Sequence, residues 1–127
     1  MRGDSGLATL ETTLMITVLI PLLFAVIEFG DVFQRWLAQE SATVQVARYA
    51  AELGGDAPEV RALLDESLRS SGIDPSASTM EVTPAHVGWR EPLTVNVRTT
   101  AMVAIPFLFS AAIPLRTTAI VRGELAR

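Results

Sequence analysis

From Leu7 to Phe33 the chain is almost continuously apolar, and between Thr12 and Ile27 it carries no charged residue. About 20 such residues are enough to cross a hydrocarbon core ~30 Å thick, and this run is longer. A cleaved secretory signal would be shorter and would end at a small-x-small site. Here the run gives way to Glu28, Asp31 and Arg35 instead, which predicts a membrane helix retained in the mature protein. Pro21 lies inside it and cannot donate to the carbonyl of Thr17, so a mild kink is expected there. The hydroxyls of Thr12, Thr13 and Thr17 can satisfy nearby carbonyls, as in other membrane helices that tolerate proline.

Beyond the apolar run the helical pattern continues. Leu37, Val44 and Ala51 recur at heptad spacing, no proline intervenes before Pro58, and Gly54-Gly55 supplies a stop. One helix over residues 7–53 would be roughly 70 Å long at ~1.5 Å per residue, with more than half of it outside the membrane. Asp56, Pro58 and Glu59 read as the start of a second helix, Asp56 as its N-cap and Glu59 as its capping-box partner. Val60, Leu63, Leu64 and Leu68 mark the apolar face of that helix, which ends near Gly72. Residues 73–78 form a turn-rich connection, after which the period changes to two.

Leu93, Val95, Val97, Thr99, Ala101 and Val103 alternate with Thr94, Asn96, Arg98, Thr100 and Met102, the signature of a half-buried strand. Flanking strands around residues 80–87 and 115–122 complete an expected three-stranded antiparallel sheet. The apolar, proline-bounded segment 105–114 is too short to span a bilayer. It is expected to pack on its own sheet; the alternative is an exposed patch for a neighbouring subunit or the membrane surface. The fold class is therefore α+β, organised as a short leader (1–6), a transmembrane and extended helix (7–53) and a small domain (54–127). With only about 70 residues, that last part is near the lower limit for independent stability and is expected to lean on the long helix or on neighbours.

Charge and composition narrow the function. The net charge is −4 and all ten basic residues are arginines, dispersed singly, which disfavours nucleic-acid binding. Cysteine is absent and His86 is the only histidine. Thiolate metal sites are excluded, and any His-based triad or zinc site would rest on that one residue, read here as a loop or core histidine. Asp65-Glu66 reads as a solvated helix face. No catalytic, cofactor-binding or metal site is expected, and the chain is not expected to be an enzyme.

One acid stands apart. Glu11 lies within the apolar run, and an acid near the middle of a membrane helix costs about 2.5–3.5 kcal/mol, so an intramembrane carboxylate calls for a partner. Glu28 sits at the far end, either at the membrane interface or as a second polar contact between packed helices. Charge does not orient the span: Arg2 and the amino terminus are offset by Asp4, while Arg35 and Arg48 follow the span.

Gly6, followed by Leu7-Ala8-Thr9-Leu10-Glu11 and an apolar helix, resembles a type IV prepilin cleavage motif. Ile20-Pro21-Leu22-Leu23-Phe24, Ile27-Glu28-Phe29-Gly30 and Ala47-Arg48-Tyr49-Ala50 resemble the TadE-like minor pseudopilins of tight-adherence (Flp-type) pili. The late paired strands with Ile105-Pro106 between them fit the same family. The resemblance implies cleavage between Gly6 and Leu7 by a prepilin peptidase, and pairing of Glu11 with the new Leu7 amine of an adjacent subunit. It also implies a single-pass protein of the cytoplasmic membrane with its C-terminal domain outside the cytoplasm. The implied partners are the major pilin, other minor pseudopilins, the inner-membrane assembly platform and membrane lipid. The rival expectation is an uncleaved, signal-anchored envelope protein with a small extracytoplasmic binding domain.

Overall fold

The computed structural model describes residues 3–124, with side chains from Gly6 onward; Met1 and Arg2 of the expected leader lie outside the described residues. Helix α1 (Gly3–Leu53) is followed by α2 (Pro58–Ser70), a 3-10 turn (Pro75–Ala77) and strands β1 (Thr79–Thr83), β2 (Pro92–Ile105) and β3 (Phe109–Arg122). The strands form one antiparallel sheet in the order β1-β2-β3. This is the expected α+β architecture.

Helix α1 is 51 residues long, about 75 Å at ~1.5 Å per residue, and runs without interruption through Pro21. It starts at Gly3 rather than Leu7, because nothing between them breaks a helix and each added residue contributes one more hydrogen bond. It ends where Gly54 and Gly55 take φ values of 82° and 135°. At Gly55 a Cβ would lie 2.1 Å from the carbonyl oxygen of Ala85, so the glycine is required by close approach as well as by φ. Asp56 N donates to that same oxygen at 2.8 Å, and Val87 N donates to Gly54 O at 2.9 Å. The end of α1 is thereby clasped to the loop that follows β1.

Ala42, Val46, Ala47, Ala50 and Ala51 of α1 share one core with Val60, Leu64 and Leu68 of α2 and with Leu93, Val95 and Val97 of β2. The helix contributes small residues and the partners contribute the bulk, which brings the axes close. Among the described residues, those from 54 to 124 thus have no core separate from the helix. Contrary to the heptad reading, Leu37 and Val44 point outward, 45% and 38% exposed. The buried stripe runs through Val32, Gln39, Thr43, Val46 and Ala50 instead. These positions recur at steps of seven, four, three and four residues, the spacing of one helix face.

Asp56 is not the N-cap of α2. Ala57 occupies that position without a side-chain cap, with Pro58 at the first helical position and Glu59 in the first turn. Asp56 is held by Arg61, whose Nε donates to it at 3.1 Å. Arg61 engages both carboxylate oxygens, Nη2 donating to the second at 2.5 Å, and a bidentate pair of this kind adds energy and geometric specificity.

Every inward position of the alternation from Leu93 to Val103 is buried, as expected. β1 is shorter than expected, because Pro84 has no N–H with which to continue a ladder. The larger difference lies between β2 and β3. Residues 105–114 are not a connection packed on the sheet. The strands pair from Pro92↔Arg122 to Ile105↔Phe109, so the hairpin extends through most of that segment and turns within Pro106-Phe107-Leu108. Pro114 is tolerated because Thr100↔Pro114 has the same ladder parity as Ala104↔Ser110, whose Ala104 N–H points away from β3. The missing donor of Pro114 therefore faces the free outer edge of the sheet.

Candidate functional site

The features that the sequence marks as functional all lie on α1, in its lower part, where the helix has least cover. From Gly6 to Ile20 every residue is exposed. The apolar part is long and hydrophobic enough to cross a membrane, with mean hydropathy 2.2 over its best 18-residue window and none of that window buried. Length and hydropathy suit a single-pass membrane anchor.

Gly6 and Leu7 sit in the first turns of this bare segment. A Cβ built at Gly6 meets nothing within 4 Å, so the fold itself places no demand for glycine there. Glycine is the poorest helix former after proline, which makes the Gly6-Leu7 bond an easy place to open the helix. Glu11 lies one turn above Leu7, exposed, with no hydrogen bond or ion pair among the described residues. The nearby threonines are occupied locally: Thr12, Thr13 and Thr17 donate to the carbonyls four residues before them at 2.9, 2.8 and 2.7 Å. None of these bonds reaches the Thr17 carbonyl that Pro21 leaves without its usual donor.

Glu28 has a partner within the chain. It is half-buried, and its Oε2 accepts from the backbone N–H of Ala104 at 3.4 Å. β1 begins at Thr79, opposite Arg98, so the β2 edge beyond that point is unpaired, and Glu28 covers one donor of this open edge. One turn further, Arg35 Nε pairs with Asp31 at 2.8 Å, and the Trp36 ring stacks on Phe33 with centroids 5.9 Å apart. A charged step followed by aromatic residues is the usual marking of a membrane interface.

Above this step lies a buried polar cluster that sequence reading missed. Gln39 is fully buried. Its amide nitrogen donates to Val97 O at 3.0 Å, to Leu115 O at 3.4 Å and to the Thr117 hydroxyl at 3.1 Å. Thr99 donates to its Oε1. The Thr43 hydroxyl donates to Gln39 O at 2.7 Å and sits 2.6 Å from the Thr117 hydroxyl. A satisfied buried network of this kind fixes register, because sliding the helix along the sheet would strand every member. The available signal was two polar residues, Gln39 and Thr43, inside a stripe otherwise made of Val and Ala.

The other singled-out residues remain apart. His86 is exposed and paired through its backbone with Gly55. Asp65 and Glu66 are exposed on α2, with Glu66 3.6 Å from Arg69. Asp74 caps the 3-10 turn by accepting from Ser76 N at 2.9 Å and from its hydroxyl at 2.8 Å, and these bonds hold its carboxyl below the ordinary value.

No curated protein and no solved structure matches the chain. Residues 6–48 match the model of the TadE-like protein family, a segment that runs from Gly6 to just past the Gln39-Thr43 cluster, and over that length the chain is similar to TadE-like proteins.

Proposed function

We propose that the protein is a minor pseudopilin of a tight-adherence pilus, cut after Gly6 by a prepilin peptidase and acting in the assembly or initiation of the fibre. The observation that carries this reading is a single one. The TadE-like match begins at Gly6, and from that residue an uncovered apolar helix leads through Glu11, which has no partner among the described residues. Such a helix is suited to membrane storage and to lateral packing with other helices of its kind. Cleavage would leave an α-amine on Leu7, and Glu11 of an adjacent subunit would neutralise it in a low-dielectric surrounding. A pair of that sort enforces register, since one buried charge without the other is penalised by about 3–5 kcal/mol. The C-terminal part then lies outside the cytoplasm, and the major pilin, other minor pseudopilins and the inner-membrane platform are the partners.

Mass spectrometry of the mature chain from piliated cells tests the reading. The expected N-terminus is Leu7. Gly6→Leu should abolish cleavage while leaving the fold unchanged, because there is open space at that position. An intact Met1 to Gly6 segment in piliated cells would overturn the pseudopilin and leave an uncleaved, signal-anchored envelope protein.

A further inference from the structure

The β2-β3 hairpin does not stop at the interface marked by Glu28. Past Arg98, the last β2 residue paired with β1, β2 continues to Ile105, about 23 Å at ~3.3 Å per residue, running back along α1 toward its apolar end. Cover on the helix records how far it reaches. Pro21, Ala25 and Glu28 are half-buried and Val32 is buried, a single stripe beneath the hairpin, and above Gly6 the first covered position is Pro21. Pro21, Leu22 and Ala25 line one open cleft with Ile105, Phe107 and Leu108, about 560 Å³ in volume. Pro21 lies about 9 Å below Ile27 along the helix axis, well inside the stretch that carries no charge.

The composition of the tip changes at the same level. Ala104 and its partner Ser110 are level with Glu28. Below them Ile105, Pro106, Phe107, Leu108 and Phe109 contain no polar side chain. Leu108 N donates to Ile105 O at 3.2 Å and Pro106 has no N–H, which reduces the number of turn donors left to desolvate. Phe107 is 98% exposed and has φ of 65°, a left-handed conformation in which a bulky residue is an outlier and Gly or Asn the ordinary choice. A phenyl ring held there, touching almost nothing of its own chain, gains only from something outside the chain.

We propose that the hairpin tip, Ile105 to Phe109, is a second membrane contact that inserts beside α1 into the acyl region of the leaflet on the C-terminal side. It fills the cleft at Pro21 with lipid chains. This rests on the membrane-anchor reading of α1, which fixes the depth of Pro21. The charge-free tip, the polar step at Glu28 above it and the shared depth with the apolar helix single out lipid as the occupant. The hairpin then sets the tilt and rotation of the helix, with Glu28 closing the open strand edge where the chain leaves water.

The chain has no cysteine, so nitroxide labels can be placed one at a time by Phe107→Cys, Leu108→Cys, Leu14→Cys and Glu59→Cys in the full chain. The labelled proteins go into vesicles of palmitoyl-oleoyl phosphatidylcholine. Collision with dissolved oxygen and with a water-soluble nickel chelate is then measured. Labels at 107 and 108 should behave like that at 14, with oxygen accessibility exceeding nickel accessibility several-fold, while position 59 shows the reverse. Nickel access at both 107 and 108, with position 14 still lipid-exposed, overturns the tip contact and leaves the anchor standing. Nickel access at position 14 overturns the anchor itself and this inference with it. Shielding of 107 and 108 from both reagents places the tip against protein, a second copy of the chain, and overturns lipid as the occupant.

Discussion

The upper and lower parts of α1 obey opposite size rules within one uninterrupted helix. Between Ala42 and Ala51 the buried residues are alanines, a valine and a threonine. Between Leu7 and Ile27 Leu, Ile, Val and Phe stand 40–69% exposed. In water the large residues would be the ones inside, since burying each contributes about 1.5–3 kcal/mol. The inversion shows that the two parts answer to different solvents: the upper part is packed for close approach of a sheet and a helix, the lower part is solvated by something apolar. The change falls at Glu28, Asp31, Arg35 and Trp36. The hairpin crosses that boundary with the helix, and its tip follows the lower rule.

Removing the register device of the upper part should give the largest effect on stability. Gln39→Leu keeps the volume but leaves the Thr99 and Thr117 hydroxyls and the Val97 carbonyl without this partner. The loss should be about 2–4 kcal/mol, given that each stranded buried group costs about 1–3 kcal/mol. Thermal unfolding of the full chain in detergent micelles reads it as a lowered midpoint. Leu14→Gln in the lower part should leave that midpoint where it is, because Leu14 contributes to no core. Equal losses from the two changes would mean that the parts are not distinct.

The legibility of the sequence divides along the same line. Wherever an element has one wet and one dry face, periodicity reveals it: the alternation from Leu93 to Val103, the face of α2 and the end of α1 at Gly54 are all where the pattern puts them. The pattern misleads where a buried face carries polar residues or an exposed one carries apolar residues. Leu37 and Val44 match a heptad, yet they face outward, because the sheet takes the stripe through Gln39 and Thr43. Residues 105–114 read as a packed connection because apolar residues bounded by prolines resemble one. Both prolines are compatible with a hairpin, Pro106 in its turn and Pro114 on its free edge. Of the candidate site, Gly6, Leu7 and Glu11 stand in the sequence as a motif. The Glu28 contact to Ala104 is not legible there, since the two residues meet only through tertiary packing.

In the lower part, Glu11 is the one charge at odds with an apolar solvent. Glu11→Gln keeps the shape and removes the charge, so membrane insertion should become easier by about 1–3 kcal/mol, while the proposed contact to a neighbour's Leu7 amine would be lost. Processing after Gly6 should survive, and co-purification with pilus subunits should fall. Normal recruitment and wild-type piliation by this variant would remove the assembly role from Glu11 and leave it to be explained by its own helix.

The smallest effect belongs to the wet side of the comparison, at Asp74. Its carboxyl is held below the ordinary 3.8 first by the Ser76 hydroxyl and then by the Ser76 backbone N–H, against an opposing desolvation, with the least contribution from Arg69. A carboxyl depressed in the folded state adds stability that is fully present above its unfolded value. That stability is lost as the pH falls through the folded value. The Asp74 contribution should therefore persist at neutral pH and fade only below 3.8. Asp74→Asn should lower the unfolding midpoint slightly at pH 7, and the gap to the parent chain should close in strongly acidic buffer. The group is fully exposed, so salt should shrink the part of the gap that comes from Arg69 and spare the part that comes from Ser76. A gap that is constant with pH would show that the turn is held by Pro75 and its backbone bonds, with the Asp74 charge contributing nothing.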